Sequence, residues 1–441
     1  MVDYTEHFLE DGDVIEMNLM GTAKVKKYLA GGGQGQVYLV DYNGRDMALK
    51  WYGPGGMGVN PQKFYDNIEH NVEKGAPSGE FLWPKDISKW RNGTFGYVME
   101  LIPPEYKEVS EYMLKKATFS SFLPAVGACL RIANAFRILH DKGYSYQDIN
   151  MGNFAIDPKR GRVLICDCDN VAPVDTVTGV IGTPRFMAPE VVTGKTMPNS
   201  LTDRFSMAVL FFMLLFRTHP LEGKRYLSAR GMTAELEMLS YGTDPLFVMD
   251  PDDSSNGPDR NLTPNIYCFW DPIPGYVREI FLQAFSQKGL KMPNARPSEN
   301  AWMQALARFR SDIVQCSCGN DIFLKDIKNC ICDGCGKKIP IPYVLSLDSY
   351  PIPGVPGRVI YRCQFGTGNP ETAIEPIATV LSNTEDPTQV GIINREEKIW
   401  NVITPSNKVV KIQKEGVVPM KAGLQIDTSA GTIRMEDNTA S

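Results

Sequence analysis

Ten consecutive apolar residues, Met207–Phe216 (MAVLFFMLLF), leave a helix through this stretch with no face for water. Such a helix must be enclosed, by lipid or by a large core. A membrane span needs about 20 apolar residues, so this run reads as a helix sunk in a thick protein interior. The chain has 441 residues, enough for two or three domains. Its 43% hydrophobic and 22% charged residues are the balance of a globular protein in water. A net charge of −5 gives no reason to expect nucleic acid as a partner, though it leaves room for a local basic patch, and with so short an apolar run no membrane is expected either. The opening MVDYTEHFLEDGDVIEM is acidic and polar, unlike a secretory leader. Five of the ten cysteines crowd between Cys316 and Cys335. That pattern implies a local metal site in a reducing, cytoplasmic setting rather than an extracellular disulfide framework.

The chain changes character along its length. Up to about Tyr52 it reads as strands: AKVKKYLA, a glycine-rich turn, QVYLVDY, then Asn43-Gly44 as a hairpin turn into RDMALKWY. Leu123, Val126, Leu130, Ala133, Phe136 and Leu139 recur at helical spacing, and helices are expected from about Asp203 to Phe309. Lys224 to Pro264 is polar and turn-rich and reads as a long loop or insertion. Beyond Cys335 the sequence is β-branched with periodic Gly and Pro, which predicts an all-β region over 341–434.

The turn LAGGGQGQV supplies backbone that can approach phosphate oxygens, since Gly31, Gly32, Gly33 and Gly35 carry no Cβ. Alone it serves a plain hairpin equally well. Lys50, on the following strand, puts an ammonium within reach of phosphates under the loop. The loop runs strand to strand, so it is not a Walker motif. Lys50 needs an acidic partner on a helix; Glu69 in FYDNIEHNVEK is the choice, with Glu73 as the fallback. In YQDINMGNF, Asp148 can orient an attacking hydroxyl and Asn153 can hold a metal through its amide oxygen. VLICDCDNV ends an apolar strand on Asp167, a carboxylate placed for Mg²⁺.

With GTPRFMAPE (Gly182–Glu190) these strings stand in a recognisable order. Residues 20–310 resemble a eukaryotic-type protein kinase domain, with an N-lobe over about 20–102 and a C-lobe over about 103–310. The resemblance implies an α+β, bilobal fold that binds ATP and Mg²⁺ and transfers the γ-phosphate to Ser or Thr of proteins. It assigns Lys50, Glu69 and Asp148 to catalysis and Asn153 and Asp167 to Mg²⁺. Nucleotide contacts fall to Ala30, Gly32, Gly33, Gly35, Val37, Ala48, Lys50, Met99, Glu100, Ile102 and Ala155. Asp203 in DRFSMAVL should brace the catalytic loop, and Arg296 in ARPSENAW should pair with Glu190. The wording of AGGGQGQVYLV, FLWP, QDINMGNF and ICDCDNV is similar to bacterial kinases that accompany a von Willebrand A protein and a PP2C-type phosphatase, the tellurite-resistance-associated type. Both proteins are then implied as partners.

Several positions depart from that pattern. Tyr146-Gln147 replace His-Arg, so control should not rest on a phosphate–arginine pair, a point that Thr176, Thr178 and Thr183 would test. Asn150 replaces a lysine, and Cys168-Asp169 replace the Phe-Gly after the metal carboxylate; the extra carboxylate could alter metal preference. A nucleotide-binding pseudokinase scaffold and a small-molecule kinase are the rival readings, the latter opposed by GTPRFMAPE, a platform for extended peptide.

Cys316-Ser-Cys318-Gly and Cys332-Asp-Gly-Cys335-Gly suit tetrahedral Zn²⁺ in a structural ribbon over 311–340. Cys330 is an alternative to Cys318. The β-region vaguely resembles a forkhead-associated sandwich, without evident residues to grip phosphothreonine, and would bind a partner or the kinase domain itself.

Overall fold

The computed structural model describes residues 7–58, 60–173, 182–228, 231, 233–366 and 368–438. Thr176 and Thr178 lie outside the described residues. The first part is an antiparallel sheet of six strands: β1 (Val14–Glu16), β2 (Thr22–Gly31), β3 (Gly35–Tyr42), β4 (Arg45–Tyr52), β5 (Asp86–Ile87) and β6 (Gly96–Met99), in the order β1-β2-β3-β4-β6-β5. Asn43 and Gly44 turn β3 into β4 with φ of 54° and 78°, the left-handed pair that matches strand twist. One helix, α1 (Pro61–Lys74), packs on the sheet. Asn60 caps it by accepting from the Lys63 amide at 3.1 Å, Pro61 opens it, and Gly75 ends it at φ 73°. Its inward side is Phe64, Tyr65, Ile68 and Asn71.

The larger lobe is helical. α2 (Phe122–Asp141) and α3 (Ser200–Phe216) cross at its centre, with α4 (Glu299–Asp312) against α2. Asn199 and Thr202 form a reciprocal cap at the start of α3, and every residue from Phe205 to Phe216 is buried. The apolar run therefore lies in the core of the helical lobe, where each enclosed Leu or Phe contributes about 2 kcal/mol. α2 is long and apolar enough to cross a membrane by composition, yet most of it is packed inside the protein. The stretch read as an insertion holds short helical turns at Lys224–Leu227, Ala234–Glu237 and Met238–Thr243.

A short hairpin, Ile313–Gln315 with Asp321–Phe323, follows α4. The rest is a two-sheet β-sandwich. One sheet runs Pro351–Pro353, Tyr343–Ser346, Thr432–Asp437, Gln425–Asp427, Trp400–Ile403, Val409–Ile412; the other runs Val359–Tyr361, Pro376–Ser382, Val390–Asn394, Val417–Pro419. Trp400, Ile377, Ile392, Ile426 and Ile433 fill the space between them. The sandwich is docked on the helical lobe. Arg137 donates to the Gly368 carbonyl at 2.8 Å, Arg358 to the Arg310 carbonyl at 3.0 Å, and Gln364 to Ser311 at 3.2 Å. Tyr361 and Cys363 join the core of the helical lobe.

Candidate active site

The site forms where the loops of the helical lobe face the sheet. Strand alternation puts Lys50 and Tyr52 on one face of β4. Lys50 Nζ lies 2.8 Å from Asp169 Oδ2, 3.3 Å from Asp167 Oδ1 and 3.2 Å from the Gln34 side-chain oxygen at the tip of the glycine turn. Burial works against the Lys50 ammonium, but Asp169 and Asp167 hold its pKa above the ordinary lysine value.

Glu69 is not part of this arrangement. It sits to the side of α1 and accepts from Asn18 at 3.1 Å, and Glu73 is exposed. The expected helix carboxylate is thus corrected: the helix turns amides toward the site instead. Asn67 donates to the carbonyls of Asp169 (3.3 Å) and Val171 (3.0 Å), and Asn71 to Val171 (2.9 Å).

The loop bearing Asp148 is held from beneath. Asp203 accepts the amides of Tyr146 (2.7 Å) and Gln147 (3.1 Å), while the Tyr146 hydroxyl donates to the Cys166 carbonyl. Asp148 Oδ1 accepts from Thr183 at 3.1 Å, and Asn153 Nδ2 donates to the Asp148 carbonyl at 2.9 Å, which leaves the Asn153 amide oxygen available to a metal. The Cys166 amide donates to the Asn153 carbonyl at 2.8 Å, tying the strand before Asp167 to the loop after Asp148. Asp167 is left-handed at φ 48° and starts a tight turn, Cys168–Asn170. Asp167 and Asn153 offer hard oxygen donors, so the residues present fit Mg²⁺. Asn150 does not bring a charge: its side chain accepts from the Gly152 amide at 2.9 Å and shapes the loop.

The remaining nucleotide candidates divide. Val37, Ala48 and Met99 share one apolar cluster with Leu101 and Cys166. The Gly32 amide donates to the Gly35 carbonyl at 2.9 Å, closing the glycine turn beside Ala30, which pairs with Val37. A Cβ on Gly35 would meet the Trp51 carbonyl at 2.2 Å, so only glycine fits there. Glu100 is half-buried with Arg45 at 3.5 Å, and Ile102 is exposed. Ala155 is buried in the strand Phe154–Ile156, outside the apolar cluster.

Two supports lie behind the loop. Arg296 forms a two-pronged pair with Glu190 at 2.7 and 2.8 Å, as expected. His140, which motif reading passed over, bridges Asp203 (3.1 Å) and Glu299 (2.8 Å), and Arg204 also grips Glu299. Burial alone would push the His140 pKa down, but the two carboxylates carry it up to about 9. A raised folded-state value means stability that is full below the unfolded pKa near 6.5 and is lost as pH rises through about 9. Unfolding free energy should therefore fall by about 3 kcal/mol between those limits. A His140→Gln variant should show a flatter denaturation profile across that window; an unchanged slope would remove His140 as its cause.

Four sulfurs gather in the segment that follows α4. Cys316, Cys318, Cys332 and Cys335 have their Sγ atoms within 4.8 Å of one another, with 3.7 Å between 316 and 335 and 3.6 Å between 318 and 332. A tetrahedron with Zn–S near 2.3 Å has edges of about 3.8 Å, so the donor set fits zinc. Gly319 and Gly336 have φ of 90° and 71°, which makes the turns behind each pair. Cys330 is 1% exposed in the apolar cluster of the same segment and is not one of the four.

Residues 91–256 match the family model for the protein kinase domain. Lys50 and the glycine turn lie before that match, so their assignment rests on geometry. Two hundred residues are 26% identical to protein kinase YegI of Escherichia coli O157:H7, covering 42% of this chain and 28% of that protein. Another 204-residue alignment is 28% identical to RGS domain-containing serine/threonine-protein kinase A of Dictyostelium discoideum, covering 44% and 17%. The chain thus spans less than a third of these relatives' length. The solved Mycobacterium tuberculosis PknI kinase domain aligns at 16% identity with a TM-score of 0.45, over 68% of this chain and 98% of that one. Residues 91–256 are thus similar in sequence to protein kinase domains, within an architecture of mixed α and β structure that has a β-rich C-terminal region.

Proposed function

We propose that the protein is a Ser/Thr kinase that transfers the γ-phosphate of ATP to a protein hydroxyl. The observation that carries this reading is the meeting of Lys50, Asp167 and the loop that bears both Asp148 and Asn153, three chain segments brought to one place. Lys50 would hold the nucleotide phosphates, with Val37, Ala48 and Met99 packing on the base. Asp167 and Asn153 would hold Mg²⁺, which when bound neutralises phosphate charge. Asp148 would orient the acceptor hydroxyl and take its proton, and Thr183 would keep that carboxylate aimed. Intact-mass analysis after incubation with ATP and Mg²⁺, with peptides carrying Ser, Thr or Tyr, tests the reading. Added phosphate on Ser or Thr supports it; no transfer under any of these conditions favours the pseudokinase scaffold.

The four-cysteine group would hold a structural Zn²⁺. Because ligand convergence and metal binding are linked, a strong chelator should melt the ribbon, with one zinc released per chain and a loss of local amide protection around Cys316–Cys335. Purified protein without zinc would overturn this. A von Willebrand A protein and a PP2C-type phosphatase remain proposed partners, supported by motif wording alone; the proposed cytoplasmic setting is supported by the cysteine pattern. Likeness to a forkhead-associated sandwich extends to two packed sheets; the docking contacts favour a role as a support of the helical lobe.

A further inference from the structure

The lysine that holds nucleotide phosphates needs a fixed negative partner, or its flexible stem leaves it unaimed. In this protein that partner does not come from α1. Asp169 is completely buried beside Lys50, whose side chain is 7% exposed, at 2.8 Å. The Tyr52 hydroxyl, two residues further along β4, donates to the same Asp169 oxygen. Among the described residues the other oxygen, Oδ1, is buried with no hydrogen-bond partner, and Lys50 and Tyr52 are the side chains that bond this carboxylate.

The helix is built for a different task. Asn67 and Asn71 are donors aimed at the carbonyls of residues 169 and 171. A carboxylate at either position would face those carbonyl oxygens and be repelled. The amides therefore clamp the backbone of the turn, and the turn's own side chain supplies the charge. A second helix carboxylate would be redundant, which accounts for Glu69 lying aside with Asn18.

We propose that Asp169 is the positioning carboxylate for Lys50, taking the place of a helix glutamate, a proposal that rests on the kinase reading above. Asp167 and Asp169 sit on one short turn, so a single rigid element orders both the metal carboxylate and the phosphate-binding lysine. Movement of α1 acts on the site through its amide clamp on that turn and through Phe64, whose ring packs edge-on against Tyr52 at 5.1 Å.

Asp169→Asn keeps shape and removes charge. It should lower kcat about a hundredfold, as expected when a reacting group is displaced by about 1 Å, while the ATP KM rises less than about fivefold. Glu69→Gln should stay within twofold of wild type in both. Tyr52→Phe should lower kcat severalfold while its melting temperature falls by only a few degrees, and it stands in if Asp169→Asn fails to fold. Transfer by Asp169→Asn within threefold of wild type, or a larger loss in Glu69→Gln, overturns the proposal. A thermal double-mutant cycle reads the pairing without catalysis. The Tm drop from Asp169→Asn should shrink by at least half in a Lys50→Met background; an equal drop in both backgrounds overturns the pairing. Wild-type protein that transfers no phosphate refutes the kinase reading alone, and the cycle then judges the pairing.

Discussion

Asp148→Ala should lose phosphoryl transfer by about a thousandfold while its thermal unfolding curve stays where it is. A positioned general base contributes about 10²–10⁴-fold, and this carboxylate is half-exposed, held by Thr183 at 3.1 Å and by a loop that Asp203 anchors from below. Removing it leaves no buried charge behind, because the loop's own bonds run through backbone groups. Transfer would be followed by radiolabel or intact mass at saturating ATP and Mg²⁺. Activity within tenfold of wild type would mean that another group takes the proton.

Glu190→Ala should cost the fold about 3–5 kcal/mol, the usual consequence of stripping a buried ion of its partner. The Arg296 side chain is 1% exposed, and its remaining contacts are the Gly289 and Leu201 carbonyls and the Phe205 ring. Carbonyl dipoles do not balance a full guanidinium charge out of water. Urea denaturation with an unchanged m-value is the measurement. A loss under about 1 kcal/mol would show that water enters and solvates Arg296. Because the pair joins Glu190 to the segment before α4, the same variant should also loosen the ground beneath Thr183.

Local motif order made much of this site legible. Lys50, Asp148, Asn153 and Asp167 each sit in short strings whose neighbours fix their geometry, and Asn43-Gly44 could hardly be anything but a turn. Periodicity placed α2 and the apolar run of α3 for the same reason. Pairings across long loops were not legible. Glu69 was chosen because it has the expected chemistry at a plausible helical position, whereas Lys50 finds Asp169 more than a hundred residues away, through a turn whose direction depends on a left-handed Asp167. His140 is one histidine in an ordinary helix end until Asp203 and Glu299 arrive from distant segments. Spacing favours Cys318 with Cys330 as its alternative; the chain path turns Cys318 toward the other sulfurs and Cys330 into apolar packing. Docking of the sandwich left no trace in the sequence, since Arg137 and Arg358 donate to backbone carbonyls that any residue could present.

That docking has a consequence for how the helical lobe meets other proteins. Phe323 of the hairpin packs on Phe122 and Phe309 of the helical lobe, with ring centres 4.9 and 5.6 Å apart, and Arg310 lies over the Tyr361 ring of the sandwich. A tethered segment competes at an effective concentration near the millimolar range. A free rival of micromolar affinity is therefore shut out of this seam at cellular abundance, and a chain cut after Phe309 would expose a sticky aromatic ledge in place of a finished surface.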